Sequence, residues 1–324
     1  MKVISREEIK KILSMKEAIS LVKEGMRIYF KRDCVIPLRQ RIDVEKQNSC
    51  ILFMPAYSNK LGYAGLKVVS VFPDNVKFGK DPVPASVFLI DGESGEILAI
   101  MDGTIITKIR TGALQGASTD ILSRKDSKRA LIIGCGSQAP YQLEALLTVR
   151  KLDTVYVFDI IQDKIINFVN MMKDKYPELR IIPISEPDES VKDVDIIITV
   201  TTSHKPTFSG ELIKKGTHIC SIGSFTPDMQ EIDEISVKKS GRIYVDTREG
   251  TMNEAGDVIN PLKKGIISEK DVIELGEVIE NQKKGRQGEE DITIFKSVGS
   301  AIFDLICAVK IYEKAKRANI GKDI

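Results

Sequence analysis

The sequence predicts an α/β protein, a doubly wound parallel sheet of the Rossmann type with a smaller α+β domain ahead of it. Three observations carry this. After residue 123, short apolar runs alternate with helical stretches, the rhythm of βαβ units. The first of those runs leads straight into a glycine-rich turn that opens a helix. Before residue 123, helical stretches and short β-type runs follow a different order that includes a hairpin signal.

In chain order, Ser5 with Glu8 and Ser14 with Glu17 have capping-box spacing, so a short helix and then a longer one over about 16–32 are expected. Strands are expected at Cys50–Met54, Leu66–Phe72, Ser86–Ile90 and Ile97–Met101. The loop from Asp91 to Gly95 joins the last two as a hairpin. A helix over about 104–122 follows. The polar stretch Ser123–Arg129 is the expected domain boundary. Beyond it, strands are expected at Ala130–Ile133, Thr154–Phe158, Ile181–Ile184, Asp195–Val200, His218–Ile222 and Ile243–Val245. Residues 253–284 read as helical and loop-like, Ile292–Val298 as a strand, and Gly299–Lys316 as a closing helix that packs back on the first domain. The expected division is therefore 1–122, completed by a helix over 304–324, and 123–303. A chain of 324 residues has room for both.

Composition narrows the function classes. The chain is 42% hydrophobic and 29% charged, with 48 basic and 46 acidic residues. That balance gives no nucleic-acid footprint. Five scattered cysteines without a CxxC pair argue against a disulfide framework or a zinc site and for a reducing compartment. The N-terminal residues lack a signal-peptide core and no apolar run approaches bilayer length, so a soluble, cytoplasmic protein is expected, without membrane contact and without a metal.

The strand Ala130–Ile133 runs into Gly134-Cys-Gly136-Ser137-Gln138-Ala139, a GxGxxA fingerprint in its required strand–turn–helix context. Gly134 permits the turn, Gly136 lets a pyrophosphate approach the backbone, and Ala139 allows close helix–strand packing. The helix start supplies N–H groups to the phosphates. Asp159 ends the second strand, 25 residues after Gly134, where an acid accepts ribose hydroxyls and repels a 2′-phosphate. NAD(H) is thus expected ahead of NADP(H). Thr201, Thr202 and Gly223 fall at the carboxyl ends of later strands, the edge that lines the ligand crevice in such sheets.

Three cations stand out in the first domain: Arg39, Lys67 among small and apolar residues, and Arg110 on an apolar helix face. A lone lysine on a half-buried strand is costly unless paired, so Lys67 is expected to face a cleft or an acid. Arg110 is equally compatible with a structural ion pair. Together the three suit a clamp for a small carboxylate. Of the two histidines, His218 is expected in a buried strand and His204 in a loop, where a general-base role is open to it.

Phe53-Met-Pro55-Ala-Tyr57, Gly65-Leu-Lys67-Val, Val71-Phe-Pro-Asp-Asn75, Arg110-Thr111, the loop Gly134–Ala139, the stretch Gly223–Glu231 and Ile292–Gly299 resemble, in order and over nearly the whole chain, the ornithine cyclodeaminase/μ-crystallin family. The resemblance implies a homodimer paired through the N-terminal sheets and a substrate site between the two domains. It also implies that Arg39, Lys67 and Arg110 hold a substrate carboxylate, and it adds Thr111 and Ser297 as cofactor contacts. The family includes ornithine cyclodeaminases, alanine dehydrogenases, reductases of cyclic ketimines, and μ-crystallins that also bind thyroid hormone.

Two departures matter. The cyclodeaminases' catalytic Asp, two residues after the glycine matching Gly223, is Phe225 here. Their Glu three residues before the proline matching Pro55 is Leu52. With both carboxylates replaced by apolar groups, the expectation is an NAD(H)-dependent reductase of a small cyclic ketimine carboxylate, Δ1-pyrroline-2-carboxylate to proline. Lys67 is then the catalytic residue, and Leu52 and Phe225 wall the ring. Alternatives are ornithine cyclodeaminase or alanine dehydrogenase chemistry with the missing acid supplied elsewhere, for instance by Asp228, and a μ-crystallin-like ligand-binding protein.

Overall fold

The computed structural model describes residues 1–47 and 49–324. The chain divides into two compact units, Met1–Arg110 with Ser300–Ile324, and Thr111–Gly299.

The first unit is built on a mixed eight-stranded sheet. Its strands are β1 (Lys2–Ile4), β2 (Cys34–Val35), β3 (Gln40–Val44), β4 (Ser49–Ser58), β5 (Tyr63–Val71), β6 (Ala85–Asp91), β7 (Ile97–Asp102) and the last strand of the chain, Lys322–Asp323. β4 to β7 form an antiparallel meander. Its β6–β7 turn is held by Asp91, whose Oδ1 accepts the N–H groups of Glu93 and Ser94. β1, β2, β3 and Lys322–Asp323 were not expected. They are two to five residues long, too short for periodicity to mark them, and β3 is almost wholly exposed.

Alternation along β4–β7 sorts side chains onto two faces. One cross-strand row, Met54–Lys67–Val87–Met101, is buried. The closing helix, Ala301–Ala318, packs on this side against β4 and β5 and against α2 (Met15–Phe30). The adjacent row, Pro55–Leu66–Phe88–Ile100, faces the other way and is also apolar, though only half-buried. α1 (Arg6–Ile12) carries the expected capping box between Ser5 and Glu8. At α2 only half of it forms: Ser14 accepts the Glu17 N–H, while the Glu17 carboxylate pairs with Lys314 of the closing helix.

α3 (Gly103–Leu122) crosses the division between the units. The division falls at Arg110, earlier than the polar stretch at 123. The physical reason is the second half of α3, where Ser118 and Thr119 hydrogen-bond Cys220 and the Thr119 carbonyl accepts from Arg150.

The second unit is a wholly parallel sheet. Its strands are β8 (Arg129–Ile133), β9 (Thr154–Phe158), β10 (Arg180–Pro183), β11 (Ile196–Thr199), β12 (His218–Ser221), β13 (Ile243–Val245), β14 (Val272–Glu274) and β15 (Thr293–Lys296). Their spatial order is β10-β9-β8-β11-β12-β15-β13-β14. This is the doubly wound Rossmann-type sheet, and its central strands are almost continuously apolar, as burial on both faces demands. β14 corrects the reading of 253–284 as helix and loop. It is a three-residue edge strand ending in Glu274, too short for periodicity to show.

Candidate active site

Lys67 is 2% exposed, and its Nζ lies 2.6 Å from Oδ2 of Asp304 on the closing helix. Arg110 Nε reaches the other oxygen, Oδ1, at 3.1 Å. One buried carboxylate therefore holds two buried cations, and of the two expected surroundings for Lys67, a cleft or an acid, the structure shows the acid. Burial, with the charges of Arg110 and Arg39, pulls the Lys67 ammonium down to about 7 against the opposing pull of Asp304. Burial pushes the Asp304 carboxyl up, but Arg110 and Lys67 outweigh it and hold it below its ordinary value. Arg39 lies half-buried in the segment before β3. Leu52, paired with Val69 on the same sheet face as Lys67, is 5% exposed.

In the second unit the turn after β8 takes the form a dinucleotide needs. Gly134 has φ +101°, and a Cβ there would lie 2.7 Å from the Val200 carbonyl oxygen, so only glycine fits. A Cβ on Gly136 would meet nothing within 4 Å, which leaves its backbone open to a pyrophosphate. α4 (Ala139–Val149) begins at Ala139, with Pro140 in its first turn. Ser137 is exposed beside it, and Gln138 holds its Oε1 buried without a partner among the described residues. The Asp159 carboxylate accepts the N–H of Cys135 at 2.8 Å and of Ile161 at 2.9 Å, so it is tied to the same loop. The residues after it, Ile160 and Ile161, are exposed and apolar. These features fit NAD(H).

The other expected residues are spread along that unit. Thr111 is buried in α3, and Thr202 is exposed after β11. Ser297 is buried and donates to Asp246 at 2.6 Å. Phe225 is half-buried in the loop after β12. His218 lies in the core between Cys220 and Thr293, and burial holds it well below its ordinary value. His204 is exposed and meets Asp228, also exposed, at 3.1 Å.

Sequence reasoning missed Asp304, and it missed a buried network at the carboxyl ends of β11 and β12. There Glu231 ties Thr201 to Gly223, and Lys296 pairs with Asp257 at 3.0 Å. The signal was available. Asp304 and Lys296 are charged residues inside apolar runs, as Lys67 is.

The sequence matches the model of the ornithine cyclodeaminase/mu-crystallin family over residues 1–319. It is 35% identical over 325 residues to a Δ1-pyrroline-2-carboxylate reductase of Bacillus cereus, spanning 100% of this chain and 99% of that one. The fold superposes on Thermococcus litoralis Δ1-pyrroline-2-carboxylate reductase in complex with NADH and L-proline, with a TM-score of 0.95, 41% identity and full coverage of both chains. An archaeal alanine dehydrogenase dimer with bound NAD follows at a TM-score of 0.91 and 36% identity, covering 100% of this chain and 98% of that one.

Proposed function

The chain belongs to the ornithine cyclodeaminase/mu-crystallin family, and from that premise we propose that it uses NADH to reduce Δ1-pyrroline-2-carboxylate to L-proline. The observation that carries this reading is the Lys67–Asp304–Arg110 cluster. Two cations share one acid in a buried site, so the cluster keeps one net positive charge, and a substrate carboxylate neutralises it. Arg39, close enough for its charge to act on Lys67, adds to the anchor.

NADH, when bound, supplies the hydride. The chain's own residues do the rest. Arg39, Lys67 and Arg110 hold the carboxylate and so fix carbon 2 of the ring, and positioning of this kind supplies much of the catalysis. The imine nitrogen must gain one proton as carbon 2 gains the hydride. Lys67, brought down to about 7, gives up a proton near neutrality. Leu52 presents an apolar surface on the same face. With Leu52 and Phe225 in place of two carboxylates, ornithine's terminal ammonium finds no anion and its deamination no acid.

Gly134, Gly136, Ser137, Gln138 and Ala139 would take the pyrophosphate, and Asp159 the adenosine ribose. No cation stands next to Asp159 in sequence to receive a 2′-phosphate, so NADH is favoured over NADPH. Thr111, Thr201, Thr202, Gly223 and Ser297 complete the proposed cofactor contacts. In this reading the first unit takes the substrate and the second takes the cofactor. The protein works as a homodimer, because β4–β7 are apolar on both faces and an antiparallel sheet with one solvated face would alternate instead.

The test is NADH oxidation with freshly prepared Δ1-pyrroline-2-carboxylate, beside ornithine plus NAD and alanine plus NAD. Rapid oxidation with little ammonia from either amino acid is expected. Faster turnover of alanine would favour the second reading, an alanine dehydrogenase, since a carboxylate anchor serves any α-imino acid.

A further inference from the structure

Glu231, Asp257 and Lys296 have no part in the chemistry above, yet with the serines around them they are among the most completely buried polar groups in the second unit. Glu231, Asp257, Lys296, Ser221 and Ser224 are all 0% exposed. Glu231 Oε1 accepts the Thr201 N–H at 2.6 Å and the Thr201 hydroxyl at 2.9 Å. Its Oε2 accepts the N–H groups of Gly223 at 2.7 Å and Ser224 at 3.0 Å, and the Ser221 hydroxyl at 3.0 Å. Both oxygens act only as acceptors, the bonding of an ionised carboxylate. Asp257 in turn holds the backbone of Glu231 and Ile232 through Oδ1, while its Oδ2 meets Lys296 at 3.0 Å. Lys296 also donates to Ser224 at 2.6 Å.

Two features give this cluster a direction. Its charges do not cancel: two carboxylates meet one ammonium, leaving one net negative charge in a buried interior. It also lies under the edge of a parallel sheet where ligands bind. The Thr201 loop it holds backs onto the dinucleotide turn, since a Cβ on Gly134 would meet Val200 at 2.7 Å and Thr201 Cγ2 at 3.1 Å. The Gly223 loop is clamped so closely that a Cβ there would lie 2.0 Å from the Thr201 carbonyl oxygen.

We propose that Glu231, braced by Asp257 and Lys296, is a positioning residue that fixes both loops and places a buried negative charge favouring the oxidised, cationic nicotinamide over the reduced, neutral one. The inference rests on NAD(H) binding at this edge. Loss of a hydride gives the nicotinamide ring a positive charge. A fixed anion in a low-dielectric interior favours that form without reorganising.

The test is the pair of dissociation constants for NAD+ and NADH, measured by titration on wild type and on Glu231→Gln. The variant keeps the side chain's shape and removes its charge. NAD+ affinity is expected to weaken about tenfold more than NADH affinity, the order expected for one charge in a partly screened interior. Equal weakening of both forms, or no change, overturns the proposal, because a purely structural brace does not distinguish them. Should Glu231→Gln fail to fold, Asp257→Asn removes a negative charge from the same cluster and is read the same way. Wild-type turnover of Δ1-pyrroline-2-carboxylate is measured on the same preparation. Its absence overturns the proposed reaction while leaving the comparison of the two nicotinamide forms intact. Absence of NADH and NAD+ binding to wild type overturns both.

Discussion

At Lys67, burial does the chemical tuning. An exposed lysine keeps its proton far above neutrality, but this one is stripped of water and faces Arg110 and Arg39, with only Asp304 in opposition. Lys67→Ala is expected to lower kcat/KM for the imine by about a hundredfold or more, since it removes both a carboxylate contact and a proton donor. A rate that needs the protonated ammonium is full below pH about 7 and falls above it. Asp304 raises the Lys67 value, so Asp304→Asn moves that alkaline limb to lower pH, which a pH profile of kcat/KM will show. The same change leaves two buried cations without their acid. A loss of about 3–5 kcal/mol, read from denaturant unfolding, is expected. That Lys67 needs a partner is legible in its apolar strand. Which acid supplies it is not, because the pair is 237 positions apart in sequence.

At the scale of elements, the strand–turn–helix after β8 was readable because every part of it is local: an apolar strand, a glycine forced to φ +101°, and a helix start. Gly134→Ala is expected to cost about 1–3 kcal/mol and to weaken NADH binding, because the new methyl meets a backbone oxygen rather than a flexible side chain. Asp159→Ala should narrow the preference for NADH over NADPH, measured as the ratio of kcat/KM for the two cofactors. The short strands were not readable. β3 and β14 owe their form to the neighbours they pair with: β3 alternates only over Arg41–Val44, and β14 is three residues long, so neither pattern is long enough to mark a strand. The end of the first unit at Arg110 was hidden for a related reason, since α3 continues unbroken past it.

For the whole molecule, the row Pro55–Leu66–Phe88–Ile100 sets the expectation that two chains associate, because it gives the sheet a second apolar face. Light scattering should return twice the 36.1 kDa chain mass. Phe88→Asp, which puts a charge on that face, should lower the value toward one chain. The family, the cofactor turn and the cation cluster were visible from sequence because each rests on residues of unusual type for their surroundings. The second apolar face was signalled within single strands, by the unbroken apolar runs Cys50–Tyr57 and Ile97–Met101; register then gathers it into one row across four strands. The central claim is that hydride passes from NADH to the ring carbon bearing the carboxylate. It is tested most directly by supplying NADH deuterated at the transferring position of nicotinamide carbon 4, with Δ1-pyrroline-2-carboxylate, and examining the proline formed. One deuterium at carbon 2 is the predicted result. Proline without deuterium, or no proline while NADH binds, would contradict it.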